Sequence, residues 1–85
     1  MEDFQRQQIE RELQEQQTAL ENYENALLLV EIARADILTK LDKYPQETEM
    51  LRNALQQYDQ LIQNYQIRRI EAEERIVVLK WLLEE

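Results

Sequence analysis

The chain has 85 residues, ten Lys and Arg against eighteen Asp and Glu, a net charge of −8, 44% hydrophobic residues, and no Cys, His, Ser or Gly. That length allows one domain at most, 1–85, and the balance is too apolar and too periodic for disorder yet too polar for a large core. The missing residue types exclude a serine or thiolate nucleophile, an imidazole base, Cys/His zinc sites, glycine-rich phosphate loops and the Glu-x-x-His pairs of di-iron bundles. No catalytic residue, cofactor or metal is therefore assigned, and the chain is not expected to be an enzyme. Dispersed bases among many acids also argue against direct binding to DNA or RNA, which needs clustered Lys and Arg.

The start, Met1-Glu2-Asp3-Phe4-Gln5-Arg6, lacks a basic segment followed by an apolar run, so no signal peptide is expected. No stretch approaches the ~18 apolar residues of a membrane span. With no cysteine, a reducing compartment fits, and a cytoplasmic location without membrane contact is expected.

A first helix is predicted over about residues 3–43, with Asp3 as its N-cap. Ile9, Leu13, Gln16, Leu20, Tyr23, Leu27, Val30, Arg34, Ile37, Leu41 and Tyr44 follow one another at alternating steps of four and three. That spacing is the seam of a coiled coil. Within 26–33 the apolar residues spread beyond it, and Leu28, Ile32 and Ala35 form a second stripe on another face. A helix that is apolar on two faces usually meets more than one neighbour.

The chain's one proline, Pro45, marks the break. Its ring clashes with the carbonyl of Leu41, and it drives Tyr44 out of the α region. Lys40 and Lys43 before it, and Glu47 and Glu49 after it, suit the ends of two helix dipoles. A turn is predicted at 44–45, although a kinked continuous helix competes with it. A second helix is predicted over about 46–84. Its seam is Leu51, Leu55, Tyr58, Ile62, Tyr65, Arg69, Ala72, Ile76, Leu79 and Leu83. Ile67, Ile70, Val77 and Trp81 form its second stripe, beside Val78 and Leu82.

If the chain folds back at Pro45, facing residues should have numbers adding to about 90. Glu21 and Glu24 then face Arg68 and Arg69, Glu15 faces Arg75, Lys40 faces Glu49, Lys43 faces Glu47 and Arg6 faces Glu84. Such exposed pairs stabilise little but select direction and register. They favour an antiparallel hairpin over a parallel coil. Arg34 and Arg69, in the seam itself, are expected to reach out of it toward acids such as Glu24 or Asp59, or to fix register or oligomeric state.

The expected architecture is all-α, an antiparallel, coiled-coil-like two-helix hairpin assembling into a dimeric four-helix bundle. Leu28, Ile32, Ile67, Ile70, Val77 and Trp81 are the candidate interface. The function expected is protein–protein interaction, as a structural subunit, an adaptor or a small regulator, with self-association into a homodimer or higher oligomer and another protein as the competing partner. The alternative is an acidic mimic of nucleic acid, which would block a nucleic-acid-binding protein through the base-free acidic run from Glu12 to Ala33.

Overall fold

The computed structural model describes residues 1–84. Two long helices pack side by side: α1, Asp3–Lys43, and α2, Thr48–Glu84. Between them lies a single 3-10 turn, Pro45–Glu47. The pair measures 65 × 15 × 14 Å. A 41-residue helix such as α1 should run about 62 Å, so α1 spans nearly the whole molecule. The radius of gyration, 19.1 Å, far exceeds the about 12 Å of a compact domain of this length.

The turn follows from the proline. Tyr44 takes φ −127° and ψ 71°, outside the helical region, as the residue before a proline must. Its N–H still donates to the Lys40 carbonyl at 2.9 Å, which ends α1, and the Glu47 N–H donates to the Tyr44 carbonyl at 3.0 Å. Pro45 opens the 3-10 turn, where its missing donor costs nothing. The Thr48 hydroxyl donates back to the Pro45 carbonyl. Regular α geometry thus begins at Thr48, two residues past the position suggested by the pattern. At the other end, Asp3 is the first helical residue rather than the cap. Glu2 takes the cap position and makes no side-chain capping bond.

The core is the seam. In α2 all ten seam residues named above are buried or half-buried, and in α1 all but Tyr44 are. Leu27, Leu51, Ala72, Ile76 and Leu79 are the buried ones, and Leu79 is nearly sealed at 1% exposure. The rings of Tyr23 and Tyr65 meet across the seam with centroids 6.4 Å apart, a contact within the favourable range for aromatic pairs. Beside the seam, Ala19, Ala26 and Ala33 are also half-buried. Their seven-residue spacing places them in one row, and their small side chains let the helices lie close. Tyr44 departs from its expected place: it is 46% exposed, because the pre-proline backbone turns it off the seam.

Truncating the most enclosed side chain should reveal how much so thin a core depends on each residue. Leu79→Ala is expected to lower the unfolding free energy by about 3 kcal/mol in urea titrations followed by circular dichroism. A loss below ~0.5 kcal/mol would mean that Leu79 is not enclosed in solution.

Candidate functional site

Two sets of side chains stand out on this frame: the polar residues that enter the seam, and the apolar residues left outside it. Arg34 lies half-buried in the α1 seam, and its Nε donates to Asp59 Oδ1 at 2.6 Å. This bond crosses between the helices and matches one of the two partners expected for it. Arg75 makes the second cross-helix pair, its Nη2 2.6 Å from Glu12 Oε1 and its Nε donating to the same oxygen at 2.8 Å. The expected partner was Glu15, so the arginine reaches one turn closer to the N-terminus. Both pairs join residues far apart in sequence and so hold the two helices in one register.

The other expected pairs do not form among the described residues. Lys40 bonds Asp36 at 3.0 Å and Arg6 bonds Glu10 at 3.3 Å, both four residues away on the same helix, rather than Glu49 and Glu84. A partner one turn along the same helix is always within reach, whereas a facing helix must present its acid at the right height. The hydrogen bond that Lys40 donates to Asp36, helped by the carboxylate's charge, raises the Lys40 pKa above its usual value. Arg69 lies half-buried in the seam but finds no acid on α1. Its closest acid is Glu73 on its own helix, 3.9 Å away, and its Nε is buried without a hydrogen-bond partner.

The six candidate interface residues are all exposed: Leu28 58%, Ile32 59%, Ile67 54%, Ile70 47%, Val77 50% and Trp81 66%. They fall on only two heptad positions. Leu28, Ile70 and Val77 share one, and Ile32, Ile67 and Trp81 share the other. Both positions lie roughly opposite the seam, so no side chain there can reach the partner helix of the same chain. The structure separates the residues along the rod. Leu28 and Ile32 lie toward the turn on α1, whereas Val77 and Trp81 lie near the open end on α2.

Further exposed apolar side chains fall outside that set. Leu29, at 68%, Val78 and Leu82 extend the same two apolar segments around their helices. Met50, at 63%, stands apart from both stripes, whereas Phe4, at 69%, falls on the heptad position of Ile32, Ile67 and Trp81, four heptads before Ile32. The polar residues between Phe4 and Ile32 at that position hid the continuity in the sequence.

The best-formed grooves among the described residues are open ones. One, between the helices, is lined by Gln16, Tyr23, Arg68, Glu71, Ala72 and Arg75. No group of three or more His, Cys, Asp or Glu that could hold a metal ion occurs among the described residues. None of the described helices is long and apolar enough to cross a membrane. Comparisons with protein-family models, curated proteins and solved structures find no match for the chain.

The unpaired Nε makes Arg69 a test of what polar seam residues do. Arg69 is only half-buried, but its enclosed Nε is unpaired, and replacing a poorly paired charge at a seam position with an apolar side chain of similar length is often neutral or stabilising. Arg69→Leu is expected to stabilise the hairpin by about 1 kcal/mol, or roughly 4–8 °C in thermal midpoint. A lowered midpoint would show that the arginine makes contacts the seam needs.

Proposed function

We propose that the chain is a non-catalytic protein–protein interaction module, a structural subunit or adaptor that works by self-association. Two hairpins pack through their outer stripes into a four-helix bundle, and the acidic outer surface is left for other partners. The absence of cysteine suits such an assembly in the cytoplasm.

The observation that carries this reading is the apolar surface outside the seam. The chain exposes 6729 Å², whereas a compact folded protein of its 10.4 kDa mass exposes about 5,400 Å². The excess is larger than the about 800 Å² that a standard interface takes from each partner. Part of it comes from the rod shape, but the side chains that carry it include Leu28, Leu29, Ile32, Ile67, Val77 and Trp81. Two segments, 26–33 and 76–83, are apolar nearly all the way round, a pattern typical of helices buried on more than one side. A core only one seam wide also gains from a second copy, since small chains with thin cores commonly reach stability by oligomerising. Glu12, within the base-free acidic run, is paired with Arg75, which favours an apolar mode of contact over acidic mimicry.

Trp81→Glu is expected to weaken self-association about 30-fold, as removal of a binding hot spot of ~2 kcal/mol would. Sedimentation velocity over a concentration series measures it, with circular dichroism confirming that the helices persist. An assembly constant unchanged by the substitution would remove Trp81 from the interface. A second readout uses the native chain, in which Trp81 is the one tryptophan. Its fluorescence should shift to the blue as concentration rises, and emission independent of concentration would contradict the proposal.

A further inference from the structure

The seam runs through the turn without losing phase. Leu41, Tyr44, Thr48, Leu51 and Leu55 continue the alternation of three and four across the point where the chain reverses. A hairpin does not require this, because a reversal lets the second helix take any phase relative to the first. One continuous helix does require it, since its seam must stay on one face from end to end.

Tyr44 supplies the second observation. It falls on the seam's phase, yet it is exposed in the hairpin. It is also the one residue between α1 and the 3-10 turn that belongs to neither. In the hairpin's register Tyr23 faces Tyr65, numbers that add to 88, and the other α1 seam residues of Tyr44's own heptad position, Ile9, Gln16, Val30 and Ile37, reach α2 seam residues by the same sum. By that rule the position facing 44 is 44 itself. A single chain cannot provide it, and a second copy can.

We propose that the seam is itself a docking site for a second copy of this chain. Two hairpins open at Tyr44, each becomes one continuous helix, and the two lie antiparallel, so that α1 of each packs on α2 of the other. Each cross-helix contact of the hairpin recurs between chains: Arg34 with Asp59, Arg75 with Glu12, and Tyr23 with Tyr65. Tyr44 meets Tyr44 of the second copy at the centre. The cost is confined to residues 44–47, which must turn α-helical against the preference that Pro45 imposes on itself and on Tyr44. Pro45 is therefore the latch that keeps the hairpin closed. This exchange uses the seam and leaves the outer stripes free, so it stands or falls separately from the four-helix bundle.

The test traps the helix pairing. Glu12→Cys and Arg75→Cys are introduced together into the full chain, which has no cysteine of its own, and a short bismaleimide joins them. A closed hairpin gives an intrachain link that migrates as a monomer. Exchange gives a covalent dimer held by two links. With Pro45 in place, the monomer product should dominate at low concentration. Pro45→Ala frees both chains and should favour exchange on the order of 10⁴-fold, making the doubly linked dimer the main product at tens of micromolar. Adding Trp81→Glu should leave that dimer in place, since the outer stripes take no part in it. Monomer product alone from the Pro45→Ala chain, at every concentration, would overturn the proposal. Should the cysteine pair prevent folding, small-angle scattering on the Pro45→Ala chain gives the same decision. Exchange lengthens the particle from the hairpin's 65 Å to about 125 Å, and a length still near 65 Å would overturn it.

Discussion

Everything in this molecule depends on one strip of side chains, the seam between α1 and α2. Its burial holds the two helices together, because no third layer exists to share the task. Among the described residues five are buried, and most of the seam is only half-covered. A layered domain hides its core behind two surfaces, whereas here most seam residues keep part of their surface in solvent. The alanines at 19, 26 and 33 narrow that exposure by bringing the helices close on one side. Proteins are only marginally stable in general, and one with so little buried area is sensitive to what happens on its outer faces.

The ion pairs that cross between the helices add direction rather than strength. Exposed ion pairs are worth between zero and about 1 kcal/mol each, and Arg34–Asp59 and Arg75–Glu12 are both well exposed. Their effect lies in position: slipping the helices by a heptad would break both pairs and leave acids facing acids along α1. Arg69, with its unpaired Nε, makes no cross-helix pair and approaches only Glu73 of its own helix. Nothing in the closed hairpin explains its presence in the seam.

The fold was legible because its signal is repeated many times. Twenty-one seam positions in a 3–4 alternation leave little choice of structure, and one proline in a chain without glycine marks the reversal. Contacts that depend on a single side chain were harder to read. Long arginine and lysine side chains choose among several acids within reach, so Arg75 took Glu12 over Glu15, and Lys40 took its own helix's Asp36. Tyr44 was misplaced because periodicity describes a regular helix, whereas backbone geometry before a proline overrides it. The outer stripes were legible as apolar positions off the seam, and the structure leaves them exposed. Both stripes lie on faces turned away from the chain's other helix.

Whether a second copy covers those faces is the most direct point of attack. Light scattering on a size-exclusion column gives absolute mass in solution, and a concentration series gives the strength of assembly. A pair of hairpins joined through their outer stripes has twice the 10.4 kDa of the single chain, reached within the micromolar range and resistant to added salt because the contact is apolar. A mass of one chain at every concentration would contradict that assembly.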